Sequence, residues 1–180
     1  MSKILLLSAG TRPESRNNEA AKIADDFICS ELNNDCSLYD DFFENVPFLR
    51  DYNDDQPEYV VKVRDDLIEI SKILIFSPVF NGGYVSHLKN LLDWLSLSFD
   101  DYSYNELFKD KSAAVISSVD GKGSNAGNAF NLLSQQLKNY GLNVHENFFL
   151  FNEDRKVEEL KTNKKLKEDY FDFIKLFINS

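Results

Sequence analysis

Lys3–Asn18 reads KILLLSAGTRPESRNN, and this stretch decides the fold. From Lys3 to Ala9 the residues are apolar almost without interruption. A strand with one wet face alternates apolar and polar, whereas an unbroken run fits a strand buried on both faces, the condition of a parallel sheet covered by two helix layers. The run ends at Gly10, a polar loop follows, and then Ala20, Ile23, Ala24 and Phe27 recur at i, i+3, i+4 and i+7, the stripe of a helix packed on a sheet. Strand, loop and helix together make the first half of a βαβ unit.

The same alternation continues outward. Ser37–Phe43 is a weaker strand, and Pro57 suits the first position of a helix carrying Val60, Val63, Leu67 and Ile70. Lys72–Phe76 (KILIF) is a third strand, stopped by Ser77-Pro78, because proline donates nothing to a ladder. Leu88, Leu91, Leu92 and Leu95 mark the next helix, and Ala113–Ser117 the next strand. Ala126, Ala129, Phe130, Leu133, Leu137 and Tyr140 line another helix, with Gly141 placed to end it. Asn143–Phe151 is expected as one fifth strand, and a long last helix carries Leu160, Leu166, Phe173, Ile174 and Phe177. Five strands alternating with five helices imply right-handed crossovers and a parallel sheet between helix layers.

Composition narrows the function classes. The chain has 180 residues, 43% of them apolar, enough for one domain over residues 1–180 and for a full core. Lys and Arg number 20 against 30 Asp and Glu, a net charge of −10 that argues against nucleic acid and anionic membrane surfaces as partners. No apolar run reaches the ~18 residues of a membrane span or the length of a secretion signal core. Cys29 and Cys36 lack C-x-x-C spacing and are expected as packing residues in a reduced, cytoplasmic protein.

In a doubly wound sheet, ligands sit beyond the carboxyl ends of the strands, where strand order reverses. Three loops fall there: Gly10–Asn18, Ser77–Tyr84 and Ser117–Asn125. The first leads into a helix N-terminus, an anion site by virtue of its unpaired amides, and adds Thr11, Arg12, Ser15, Arg16, Asn17 and Asn18 as donors, a set suited to a phosphate. It lacks the GK[ST] ending of a Walker loop. The second combines consecutive glycines with Phe80 and Tyr84, main-chain freedom beside flat apolar faces. The third holds small residues and Lys122; its glycines at 121, 123 and 127 are misplaced for a dinucleotide fingerprint.

Together the loops resemble those of the NADPH-dependent FMN reductase family, which includes azo, quinone and chromate reductases. Ser77–Ser96, SPVFNGGYVSHLKNLLDWLS, is similar to the family's S/T-P-E-Y-N/H strand end, glycine or serine turn, and LKN-x-x-D-W/F helix, with Leu88-Lys89-Asn90 and Asp93-Trp94 at the family offsets. Arg12, Ser15 and Asn17 stand in register with its phosphate loop, and Asp120–Gly123 resembles its ring loop. The resemblance spans residues 3 to about 150. It implies an α/β flavodoxin-like three-layer sandwich, with a five-stranded parallel sheet in the order 2-1-3-4-5 and helices on both faces.

The resemblance also implies FMN as cofactor and NADPH or NADH as co-substrate. Hydride would pass to flavin N5 with no catalytic side chain, and electrons would leave to a small-molecule acceptor: free flavin, quinone, azo compound or metal oxyanion. Gly10, Thr11, Arg12, Ser15, Arg16 and Asn17 would hold the phosphate. Pro78, Val79, Phe80, Asn81 and Gly82 would lie along the isoalloxazine, with Ser117, Ser118, Asp120, Gly121 and Lys122 approaching it from the third loop. Val79 and Phe80 depart from the family's Glu and Tyr, removing a carboxylate and a phenol near the ring, and Ala9-Gly10 replaces its Gly-Ser/Thr. A homodimer or homotetramer is expected by the same analogy.

The acidity also suits a flavodoxin-type electron carrier docking on basic partners, although Arg12 is foreign to such a phosphate loop. A non-catalytic flavin-binding protein is the remaining alternative. His87 and His145 stand alone, without ligand-spaced partners, and metal is not expected. Trp94, at helical spacing beside Leu91 and Leu95, is expected in the core or a subunit contact.

Overall fold

The computed structural model describes residues 3–180. Strand β1 (Lys3–Ser8) is the central ribbon. Successive side chains of a strand point to opposite faces, so Ile4 and Leu6 enter one core while Leu5 and Leu7 enter the other, all four essentially without solvent contact. Helix α1 (Arg16–Ser30) covers the first face, and β2 (Asp35–Tyr39) returns beside β1 in parallel. After a short helical turn, α2 (Phe42–Asn45), the chain runs through α3 (Glu58–Ile68) on the opposite face and into β3 (Lys72–Phe76) on the other side of β1. Helix α4 (Ser86–Ser96), β4 (Ser112–Ser118), α5 (Ala126–Asn139), β5 (Asn143–Val144), β6 (Phe149–Phe151) and α6 (Lys164–Ile178) complete the order.

The sheet runs β2-β1-β3-β4-β5, with β6 also pairing β4, and every pairing is parallel. The first core packs α1 and α6 on Ile4, Leu6, Leu74, Phe76, Ala114 and Ile116. The second packs α3, α4 and α5 on Leu5, Leu7, Ile73, Ile75, Ala113 and Val115. This is the expected three-layer sandwich, with its strand-order reversal between β1 and β3. Among the described residues no helix is long and apolar enough to cross a membrane.

Several boundaries differ from expectation for local reasons. The fifth strand is two segments. Residues Asn143–Val144 pair with Ser112–Ala113, and Phe149–Phe151 with Ile116–Ser118. Two residues of β4 therefore face the four residues 145–148, which bulge out of the ladder. Asn147 N–H donates to Nδ1 of His145 within the bulge, and Phe148 stacks on Phe130 at 4.7 Å. Strand β2 ends at Tyr39, and Phe42, expected in that strand, begins α2 and is buried. Pro57 occupies the cap, one residue before the first helical position. Leu160 lies in a separate 3₁₀ turn, Val157–Lys161, because Asn163 starts α6 afresh by accepting from the N–H of Leu166 at 3.1 Å. Cys29 is exposed and Cys36 half-buried, so the first is not the packing residue expected. Gly141 ends α5 as foreseen: with φ +101°, its N–H reaches the carbonyl of Lys138 while Leu142 N–H reaches that of Leu137, a Schellman closure.

The LKN-x-x-DW segment on α4 is scaffold. Asn90 donates to the carbonyl of Pro47 at 2.9 Å and accepts from the N–H of Leu49 at 2.9 Å. Indole Nε1 of Trp94, a core residue, donates to the same Pro47 carbonyl at 2.8 Å. Lys89 pairs with Asp93 one turn away, and Asp93 accepts from the Tyr140 hydroxyl at 2.6 Å, tying α4 to the end of α5. Replacing Asn90 with Ala leaves the Leu49 amide and a share of the Pro47 carbonyl unpaired in a nearly buried setting. Urea unfolding of Asn90→Ala is expected to show a loss of about 1–3 kcal/mol.

Candidate functional site

The three loops at the carboxyl ends of β1, β3 and β4 meet as the alternation requires. The first is shaped by side chains turned inward. Ser15 caps α1, its Oγ accepting from the N–H of Asn18 at 3.1 Å. Asn18 is buried; its Oδ1 accepts from the Ser8 hydroxyl at 2.7 Å, and its Nδ2 donates to the carbonyls of Arg12 and Asp40. Gly10 sits so close to this knot that a Cβ would lie 1.9 Å from Ser15 Oγ and 2.2 Å from Asn18 Oδ1, so a side chain there would have to displace both and break the knot's hydrogen bonds. Asn17, also buried, exchanges a pair of hydrogen bonds with the Ser118 main chain, at 3.1 and 3.0 Å. Its side chain is therefore spent, and what it can offer a ligand is its N–H.

That leaves a concentration of unused donors. Among the described residues, the main-chain N–H groups of Gly10, Thr11, Arg12, Arg16 and Asn17 have no protein acceptor. Those of Asp120, Gly121 and Lys122 are likewise unpartnered. Arg12 is exposed and makes no ion pair among the described residues, whereas Arg16 is bound on both sides, Nε to Glu158 at 2.9 Å and Nη1 to Asp120. Hydrogen bonds to Glu158 and Asp120 push the Arg16 pKa further up. The Glu158 carboxyl is held below its usual range by its own main-chain N–H, with Arg16 adding to the effect.

The loop after β3 is a two-residue hairpin. Phe80 and Gly83 exchange main-chain hydrogen bonds at 2.9 and 3.0 Å around Asn81 and Gly82, whose φ angles of +52° and +79° are those an Asn-Gly turn provides. Asn128 Nδ2 holds the Gly82 carbonyl at 2.7 Å. Phe80 stands 55% exposed at the loop's shoulder.

A cavity of about 480 Å³ opens between these loops. Of the residues singled out from sequence, Gly10, Thr11, Arg12, Ser15, Arg16, Asn17, Pro78, Val79, Phe80, Ser118 and Asp120 line it. Five do not. Asn81 and Gly82 form the hairpin tip, Ser117 is buried in β4, and the carbonyls of Gly121 and Lys122 are tied to Glu153 and Asn152 beyond β6. Glu14, Glu19, Val119 and Glu158 also line the cavity and were not foreseen. Val119 was legible as part of the third loop. Glu158 was not, because Val-Glu-Glu-Leu reads as the beginning of the last helix and only the folded chain carries it to Arg16.

The sequence matches the family described as NADPH-dependent FMN reductase over residues 2–156, most of its length. The chain belongs to that family. Its cofactor is accordingly FMN, with NAD(P)H as co-substrate, and its class that of the flavin-dependent oxidoreductases. An NADH:FMN oxidoreductase superposes with a TM-score of 0.76 at 14% identity, covering 98% of this chain and 88% of the other. FerB, an NAD(P)H:acceptor oxidoreductase from Paracoccus denitrificans, gives 0.74 at 21% identity over 99% and 98%. An azoreductase from Bacillus anthracis gives 0.62 at 14% over 96% of each. At these identities the likeness is one of fold. No curated protein matches the sequence. Within this FMN reductase fold, the family-specific LKN-x-x-DW helix lies outside the crest cavity, while the residues that line it come from the loops.

His87 supports the cavity from below. Its Nε2–H donates to the carbonyl of Ala9 at 2.9 Å, and its ring is packed against Phe42 and Phe43. Burial pushes its pKa below 6.5, only partly opposed by the Ala9 hydrogen bond. The unfolded chain therefore takes up a proton at pH values where the folded protein does not, and stability falls as pH drops below about 6.5. Glutamine keeps a donor for Ala9 but does not titrate. The urea midpoint of His87→Gln is expected to vary less than wild type between pH 7 and 5.

Proposed function

We propose that the protein is an NAD(P)H-dependent reductase that holds FMN in the crest cavity and passes electrons to a small acceptor: a free flavin, quinone, azo compound or metal oxyanion. One observation carries it: main-chain N–H groups and the Arg12 guanidinium, all without a partner among the described residues, gather at one side of the cavity, with the apolar surface of Pro78, Val79 and Phe80 at another. A ligand with an anionic tail and a flat head needs both features together. The residues present fit FMN on that ground.

The first loop binds the phosphate through the N–H groups of Gly10, Thr11, Arg12, Arg16 and Asn17, with Arg12 supplying charge and the Thr11 and Ser15 hydroxyls completing the shell. Arg16 acts as a strut, joining the first loop to Asp120 and Glu158. Pro78–Phe80 flank the ring and exclude water. The N–H group of Asp120, which lines the cavity, offers a donor to its polar edge. Asn81, Gly82 and Ser117 act through the shape they give the neighbouring main chain. FMN, when bound, supplies the redox chemistry, accepting hydride from NAD(P)H and releasing electrons to the acceptor. The protein acts as one domain and, by analogy with the family, as a homodimer or homotetramer.

An absorbance spectrum of the purified protein with FMN, followed by anaerobic NADPH, tests this directly. Bound, red-shifted flavin bands that bleach on NADPH addition and return with a quinone are expected. Protein that stays colourless with excess FMN and leaves NADPH unoxidised defeats the reading. Bound flavin reduced only by a partner protein indicates a carrier.

Arg12→Ala is expected to weaken FMN binding about tenfold or more, the loss of one charge-assisted bond, without lowering the melting temperature of the apoprotein. A fluorescence titration of FMN against the variant measures it. Because a polyanion must approach a chain of net charge −10, KM for NADPH is expected to change between low and moderate salt, where screening alters long-range forces most.

A further inference from the structure

We infer that Asp25, Cys29 and Cys36 form a binding site for a thiophilic divalent cation of the zinc class, at the end of the sheet opposite the crest. Asp25 and Cys29 lie one turn apart on the same face of α1. The chain leaves α1 at Ser30, turns through Asn33 in the left-handed region, and enters β2, where Cys36 pairs with Ile4 near the start of β1. This return brings one ligand atom from each side chain within 4.8 Å of the other two. Cys29 Sγ already stands 3.9 Å from Asp25 Oδ1.

The donor set selects the cation. A tetrahedral zinc-class ion holds sulfur at about 2.3 Å and oxygen at about 2.0–2.2 Å, so its ligands sit roughly 3.5–3.8 Å apart and closure here needs about 1 Å of side-chain adjustment. Two sulfurs favour a soft ion over magnesium or calcium, and the exposed position of Cys29 leaves a fourth site for water. Charge points the same way. Asp26 adds a second carboxylate beside Asp25, and among the described residues Asp25 makes no ion pair. A divalent cation supplies the missing positive charge, each thiol releasing its proton to solvent as its metal–sulfur bond forms. Bound there, it staples the outer strand β2 to α1.

Titrating the reduced full-length protein with Cd²⁺ under anaerobic conditions tests the site. An ultraviolet thiolate-to-cadmium band saturating at one ion per chain, displaced by Zn²⁺ and accompanied by a higher melting temperature, is expected. Cys29→Ser and Cys36→Ser should each abolish the saturable band while circular dichroism stays native, and Asp25→Asn should weaken binding about tenfold or more. The site is overturned if the band survives in either single-cysteine protein, if Asp25→Asn binds as tightly as wild type, or if no ion is taken up. Formation of an intramolecular disulfide with mild peroxide in a protein that takes up no Cd²⁺ makes the pair a redox couple and likewise overturns it. FMN binding, which uses the other end of the molecule, does not enter the readout.

Discussion

Two adjacent side-chain amides hold the crest of this sheet in place. Asn18 reaches the Ser8 hydroxyl at the end of β1, the Arg12 carbonyl within the first loop and the Asp40 carbonyl just past β2. Asn17 reaches across to the Ser118 main chain at the end of β4. The third strand joins through the main chain, with Ala9 N–H donating to Phe76 and Ser77 N–H donating to Ile116. Buried polar groups are costly unless paired, so this knot permits few other loop conformations. Its consequence is indirect but large. With the side chains turned inward, the main-chain N–H groups of Gly10, Thr11, Arg12, Arg16 and Asn17 have no acceptor among the described residues.

Charge at the crest follows a similar economy. The chain is strongly acidic, and its cavity contains Glu14, Glu19, Asp120 and Glu158. Arg16 is neutralised by two of these, and Glu19 is paired with Lys161. Arg12 is the loop's uncommitted cation. The cavity thus offers one guanidinium and a set of main-chain dipoles, set in an acidic surrounding field. Val79 and Phe80, which stand where the sequence pattern of the family has Glu and Tyr, give that side of the cavity a more apolar lining.

The layered architecture was legible because it rests on patterns that a single chain carries. The unbroken run at Lys3–Ala9 marks burial on both faces, and the stripes of α1, α4 and α5 mark the faces that cover it. Gly141 announced the end of α5 through its backbone requirement. Boundaries were misread where polar residues interrupt a favourable pattern. Asn143–Phe151 reads as a strand at its ends, but the polar run His145-Glu146-Asn147 interrupts it, and residues 145–148 bulge where β4 supplies only two residues opposite four. The motif most specific to the family, on α4, proved to hold the segment around Pro47 against the core, and it contributes nothing to the cavity.

The sequence by itself determined the strand–helix alternation, the three crest loops and the family to which the chain belongs, because periodicity, turn chemistry and short motifs are local properties. It also pointed to Arg12 and the small residues of the first loop, which line the crest cavity. Only the tertiary structure decided how those residues divide their work: Asn17 and Asn18 as ties, Arg16 as a strut to Glu158, and Asn81, Gly82, Ser117, Gly121 and Lys122 outside the cavity. Only the return of β2 beside α1 brought Cys29 and Cys36 together with Asp25. The reason is physical. A side chain's chemistry is written in the chain, but whether its hydrogen bonds are free or already spent depends on neighbours that sequence distance does not reveal.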